Sequence, residues 1–390
     1  MIARRKEVFG QLLNSWRAGD IFGVPKQREF NFSRRDVRTV GMAKKPTKKI
    51  AKRKVTSKKP PVTPQRIMEM VWGFAPPLIA EAALQHGVFD AMDAGAKTAA
   101  EIAERTNTSP RGIGILLDGL VGVGLVNRRG EKFTLAPDTA AFLVHSKPAF
   151  MGGLLKHVSR QLIGSWLGLS ECVKTGKPNR PVNQESTGGD FFAQFVEDIF
   201  NMSFGAAAAA AEELLEDANG DAVSVLDIAA GSGVWGIAMA RKLPHVRVTA
   251  VDWHNVIPIT RRVAERHGVA GQFNYVGGDI LEADLGNGHH VATLGHILHS
   301  EGEARSRQLL KRVHAAMAPG GTIVIGEFTP DEGRVGPPVP LIFAVNMLVN
   351  TDEGSTFTFK QIASWLKEAG FKKPRLLNAP GPSPLILADA

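Results

Sequence analysis

Residues 225–236 read VLDIAAGSGVWG, and the fold turns on how this stretch is built. Val225, Leu226 and Ile228 begin it as a strand. Gly231 and Gly233 allow a tight turn, and the chain then runs into the start of a helix. Glycine adopts backbone angles that other residues avoid, and it lets a ligand approach the main chain closely. Gly231, Gly233 and Gly236 satisfy G-x-G-x-x-G, and Asp252 closes the next strand-like run 19 residues after Gly233. Taken alone, that spacing is a weak signal that fits a dinucleotide site.

Outward from this stretch, residues 222–390 alternate strand and helix. VSVLDIA, VRVTAVD, FNYVGGD, VATLGHI and TIVIGEF have strand character, and GIAMARKL, VIPITRRVAERHG and SRQLLKRVHAAM are helical. The alternation predicts an α/β, Rossmann-like doubly wound domain with a parallel sheet. LIFAVNMLVN reads as an inserted helix, and PRLLNAP and SPLILAD as two last strands.

Asp227 discriminates between ligands. It lies at the end of the first strand, where a dinucleotide would place its pyrophosphate, and a carboxylate there repels phosphate. S-adenosylmethionine carries an ammonium and a sulfonium instead, which a carboxylate attracts. Asp252 is placed to accept ribose hydroxyls. Asp279, in GGDI, is placed to accept an adenine amino group, with Ile280 beside the ring. Three acids at three successive strand ends favour a cationic nucleoside, so S-adenosylmethionine is the expected cofactor and NAD(P) its rival.

Upstream, residues 63–149 carry a second pattern. TPQRIMEMVWGFAPPLIAEAALQHGVFDAM reads as two helices broken at Pro76-Pro77. Thr98 with Glu101 forms a capping box, Ser109-Pro110 starts another helix, and LVNRRGEKFTLA is a hairpin turning at Arg129-Gly130. Helix, turn, helix and a two-stranded wing make a winged helix. DNA readers carry basic or amide side chains on the second helix. IGILLDGLVGVGLV at 113–126 has one acid and no base, so packing or dimerisation is the expected role. Residues 150–221 form a helical, aromatic-rich link to the catalytic domain.

The net charge of +9 is unevenly spread: residues 1–62 hold 18 of the 47 Lys/Arg and 4 of the 38 Asp/Glu. Such a basic tail is expected to be disordered, with at most non-specific nucleic-acid contact. Met42 is the expected natural start. With one cysteine, Cys172, no secretory signal and no apolar run of the roughly 18 residues that span a bilayer, a cytoplasmic protein away from membranes is expected.

HILHSEGEA at 296–304 follows the fourth strand. Its histidines, His296 and His299, can be core residues, metal ligands or proton acceptors. No carboxylate or cysteine stands at metal-ligand spacing from them or from His289 and His290, so no metal is expected.

These stretches together resemble the bacterial and plant small-molecule O-methyltransferases. The similarity runs through GFAPPLIAEAALQHGVFDAM, RGIGILLDGLVGVGLV, LDIAAGSGVWG, VDW, GGDI, HILHSEGE, MAPGGTIVIGEF and FKQIASWLKEAGF, over residues 63 to 390. The resemblance implies a homodimer that methylates a hydroxylated small molecule. It assigns His299 as general base and Glu327 as its support, and adds Trp253 to the cofactor site. Two departures stand out. The family's aspartate after the histidine is Ser300 here, and a second supporting glutamate falls at Thr356, with Glu353 close by. They leave C- or N-methylation, or a non-methylating reaction on the same fold, as alternatives, and the winged helix with the basic tail leaves a DNA-binding regulator as a further one. Phe195, Met202, Phe343, Asn346 and Met347 are the expected acceptor-pocket residues, and their apolar character favours a flat, hydrophobic substrate.

Overall fold

The computed structural model describes residues 62–216 and 222–390. The basic tail, apart from Val62, and the start at Met42 lie outside these residues. The chain divides between Gly73 and Phe74. Before the division the described helix is α1 (Gln65–Val71), and none of its side chains is buried.

After the division comes α2 (Ala75–Gln85), whose first turn contains Pro76 and Pro77. The break expected at the prolines lies instead at 72–74. First-turn N–H groups have no intrahelical carbonyl to meet, so proline is tolerated there. Within Gln65–Gln85 an 18-residue window has a mean hydropathy of 1.3, apolar and long enough by composition to cross a bilayer, contrary to the sequence expectation. It is nonetheless two helices, and Glu81 in the second pairs with Arg160 at 3.1 Å.

α3 (Val88–Asp93), α4 (Ala99–Arg105) and α5 (Pro110–Gly122) follow. The capping box forms as read: Glu101 N–H donates to Thr98 Oγ1, and Thr98 N–H donates to Glu101 Oε2. Ile113, Leu117 and Leu120 turn inward from α5, so its apolar face is core. β1 (Val126–Arg129) and β2 (Lys132–Leu135) pair antiparallel, and α6 (Pro137–Phe142) closes the module. α7 (Gly152–His157) runs into a π turn at Val158–Leu162 and on to α8 (Ile163–Trp166), α9 (Leu169–Thr175), α10 (Glu185–Ala193) and α11 (Phe200–Leu215).

The remaining strands are β3 (Val223–Ile228), β4 (Val246–Asp252), β5 (Phe273–Gly277), β6 (His289–Gly295), β7 (Met317–Gly326), β8 (Lys372–Leu377) and β9 (Leu385–Asp389). They form one sheet in the order β5-β4-β3-β6-β7-β9-β8. The first five are parallel. β9 pairs antiparallel with both β7 and β8, so the sheet is not parallel throughout. The short link between β8 and β9 allows only an antiparallel return, because a parallel crossover needs a dozen or more residues.

Helices α12 (Val234–Lys242), α13 (Ile257–Arg266), α14 (Leu298–Ala316), α15 (Pro338–Asn350) and α16 (Phe359–Ala369) complete the domain. Side chains alternate across β3. Val225 packs with α11, α12 and α13 on one face, and Leu226 and Ile228 with α14 and α16 on the other. From β3 the sheet grows one way through β4 and the other way through β6. A parallel sheet with that reversal opens a crevice at its carboxyl edge.

Candidate active site

A cavity of about 330 Å³ lies at this crevice. Its floor is the ends of the central strands. Two of the residues there, Ala229 after β3 and His296 after β6, hold positive φ angles of 52° and 61°. Non-glycine residues in that region are strained, and such strain gathers at functional sites.

Asp252 faces the cavity. Its Oδ2 accepts from Gly231 N–H at 2.7 Å and its Oδ1 from Trp253 N–H at 2.7 Å. Each oxygen keeps a lone pair for a ligand. Burial pushes this carboxyl up to about 6, against the two backbone bonds. Trp253, Gly231, Asp279 and Ile280 stand in the same wall. Asp279 is braced by Arg305, which reaches both of its oxygens, and Arg305 also meets Glu301 at 2.6 Å. Burial raises the Glu301 carboxyl, and Arg305 opposes it.

Two expected cofactor residues do not line the cavity. Gly233 caps α12 in the left-handed conformation at φ 75° and shapes the turn. Asp227 is fully buried, and its oxygens accept from Gly236 N–H at 2.9 Å and Thr293 Oγ1 at 2.8 Å. It therefore ties the helix start to β6 and does not face a ligand. Burial raises it to about 7, and the neighbouring Asp252 adds to the rise.

His299, in the same lining, forms a pair with Glu327. His299 Nδ1 lies 2.8 Å from Glu327 Oε2, and His299 N–H donates to Oε1 at 3.2 Å. Both residues are buried. Burial works to raise the Glu327 carboxyl, but the adjoining imidazole overcomes it and holds the group below the usual range. A carboxylate accepts only, so Nδ1 carries the proton and Nε2 is left as an acceptor for the cavity. Burial drives His296 down to about 4, and its Nδ1 has no partner among the described residues. Ligand atoms of His296, His299 and Glu327 lie within 4.8 Å of one another, so these three could share a metal ion. Sequence spacing could not reveal that grouping, because Glu327 comes from another strand. His289 and His290 are engaged elsewhere, with Ser224 and the Leu285 carbonyl.

The helix that carries His299 is kinked at Gly302 (φ 73°, ψ 177°). A Cβ on Gly302 would fall 2.7 Å from Glu353, and one on Gly354 would fall 2.6 Å from the His299 carbonyl. Ser355 N–H donates to that same carbonyl at 2.9 Å. Thr356 is buried outside the cavity wall and takes Arg334, while Glu353 is exposed. Neither supplies a second carboxylate beside His299.

Aromatic rings also line the cavity. Phe343 meets the His299 ring edge-on at 4.9 Å and Phe328 at 4.3 Å. Opposite them, His157 stacks on Phe195 at 4.1 Å. All five expected acceptor residues, Phe195, Met202, Phe343, Asn346 and Met347, reach this one cavity.

An O-methyltransferase domain model matches residues 166–372, and an O-methyltransferase dimerisation domain model matches residues 68–145. The chain belongs to the O-methyltransferase family. It is 29% identical over 306 residues to the 3-hydroxy-5-methyl-1-naphthoate 3-O-methyltransferase of Streptomyces sahachiroi, covering 77% of this chain and 87% of the relative. It is 26% identical over 343 residues to acetylserotonin O-methyltransferase of Mus musculus, covering 83% and 87%. Human N-acetylserotonin methyltransferase in complex with SAM shares the fold, with a TM-score of 0.71 at 24% identity, over 85% of this chain and 99% of that one.

Several residues of this O-methyltransferase site went unread in the sequence. Glu301 and Arg305 stand four apart on one helix, a spacing that signals a pair. Trp235, His157, Asn183 and Asn350 also line the cavity. They come from distant segments and share no spacing.

Proposed function

We propose that this O-methyltransferase moves a methyl group from S-adenosylmethionine to a hydroxyl of a flat, mainly aromatic small molecule, with His299 as the base. The observation that carries the reading is the buried His299–Glu327 pair at one end of a cavity whose other end presents Asp252 and Asp279. These residues fit the nucleoside: Asp252 would take the ribose hydroxyls, Asp279 the adenine amino group, and Ile280 and Trp253 the flat faces. When bound, S-adenosylmethionine supplies an electrophilic methyl on sulfur. The acceptor hydroxyl gains the methyl group as its proton passes to His299 Nε2, and Glu327 holds the cation that forms. The aromatic walls align the ring and exclude water.

The decisive experiment is incubation with S-adenosylmethionine and a panel of phenols and naphthols, read by mass spectrometry. Gain of one methyl on oxygen is the expected result. Methyl on carbon or nitrogen, or none at all, would reject the reading. A second measurement addresses the cofactor end. Because burial raises Asp252 to about 6, acid protonates it and removes acceptor capacity. Affinity for S-adenosylhomocysteine should fall roughly tenfold between about pH 7 and pH 5. Asp252→Asn should bind weakly and lose that slope. A wild-type affinity flat across this range would count against the ribose contact.

We also read the helical module as a winged-helix-like dimerisation unit and the protein as a cytoplasmic homodimer. Ile67, Met70 and Val71 on α1 are exposed apolar side chains that a second copy would cover, and Cys172 is a free buried thiol.

A further inference from the structure

His296 is a side chain that methyl transfer leaves unused. Its backbone is fixed: its N–H donates to the Gly326 carbonyl at 2.8 Å, and its φ of 61° turns the chain out of β6. The ring rests on Phe328 at 4.8 Å and lies 6.3 Å from the His299 ring. It makes no hydrogen bond among the described residues. An imidazole carries both a donor and an acceptor, and a largely buried ring with neither matched calls for a partner.

Its neighbours supply a ligand set. Gly295 stands opposite Gly326 in the register of β6 on β7, so His296 and Glu327 leave the two strands side by side. One nitrogen each from His296 and His299 and one oxygen of Glu327 lie within 4.8 Å of one another. His299 Nδ1 and Glu327 Oε2 are 2.8 Å apart. A tetrahedral Zn²⁺ with bonds of ~2.1 Å sets its ligands ~3.4 Å apart, so side-chain rotations of ~1 Å would complete three corners. Both histidines line the large cavity, to which the fourth corner opens. His296 and Glu327 also line a second cavity of about 10 Å³, about the room of one water. Two imidazoles and a carboxylate suit Zn²⁺, Co²⁺, Ni²⁺ or Cu²⁺, whereas Mg²⁺ and Ca²⁺ take oxygen ligands. Among the described residues lining the large cavity the one Lys or Arg is Arg305, and Glu301 and Asp279 engage it. The Glu327 carboxylate is therefore free to balance a metal cation.

We infer that His296, His299 and Glu327 form a binding site for a transition-metal ion of the Zn²⁺ class, and that the ion switches methyl transfer off. The switch follows from the ring of His299. A metal on Nε2 takes the lone pair that faces the acceptor. A metal on Nδ1 sends the ring's one proton to Nε2, which then donates instead of accepting. Either way the base is lost, and no other atom changes hands. The loss of activity rests on the reading of His299 as the base; the metal site itself does not.

The test titrates Co²⁺ into the full chain and follows the visible absorption that grows when imidazoles replace water in a tetrahedral set. Zn²⁺ should displace Co²⁺, and Mg²⁺ should not. Methyl uptake by a phenol from the panel should fall about 10²-fold or more at saturating Zn²⁺ and return on chelation. His296→Phe, which keeps an aromatic ring against Phe328, should weaken both metals at least about tenfold and shift the inhibition curve by the same factor. Retained S-adenosylhomocysteine binding would show that the variant folds. If it does not fold, Glu327→Gln, which keeps the shape and gives up the anionic oxygen, should weaken Co²⁺ likewise. No Co²⁺ absorption in the wild type would overturn the inference and leave hydroxyl transfer standing. So would Zn²⁺ affinity intact in His296→Phe, which would place the metal on other histidines. Co²⁺ and Zn²⁺ bound with full methyl uptake would keep the site, overturn the switch and take the base role from His299.

Discussion

Changing His299 to alanine should lower kcat by about 10²- to 10⁴-fold, the usual contribution of a positioned base. S-adenosylhomocysteine affinity should stay near the wild-type value. The two effects separate because Asp252 and Asp279 are held by other groups than those that hold His299. Asp252 is held by Gly231 and Trp253, and Asp279 by Arg305. His299 is held by Glu327. The residual rate should climb with pH, because a phenol that ionises in solution needs no base. Single-turnover rates with a methylated phenol identified by the panel check both points. A variant that keeps the wild-type kcat at neutral pH would remove His299 from the base role.

Glu327→Gln should cost a further class of effect, about 10²- to 10⁴-fold in kcat with little change in KM. The shape is retained, but the acceptor oxygen facing His299 Nδ1 can be replaced by an amide N–H. Nδ1 then becomes the acceptor, the ring proton moves to Nε2, and the cavity faces a donor instead of a base. The carboxylate also accepts from His299 N–H, a bond the glutamine oxygen can keep, and keeping it turns the amide N–H toward Nδ1. Glu327→Asp, shorter by one methylene but still an acceptor, should recover part of the rate. If glutamine and aspartate behave alike, tautomer control is not the function of this group.

The sheet was legible because buried parallel strands write themselves as apolar runs with turns between them. The pairing of Glu327 with His299 was legible only through resemblance. Its physical origin is the register of β6 on β7, in which Gly295 stands opposite Gly326 and sets the next residues of both strands side by side. Asp227 shows the opposite failure. Its place at a strand end was correct, but strand side chains alternate in direction, and this one points under the glycine turn toward Thr293.

The clasp between residues 353–355 and the carbonyl of His299 has a consequence for how such enzymes diversify. The segment that leaves α15 grips the main chain of His299, and Gly302 and Gly354 leave no room there for a side chain. Substrate choice and turnover are then inherited as one block. A graft that swaps residues 338–356 between relatives would bring a foreign grip onto the histidine, and a successful transplant of selectivity would have to carry residues 298–303 with it.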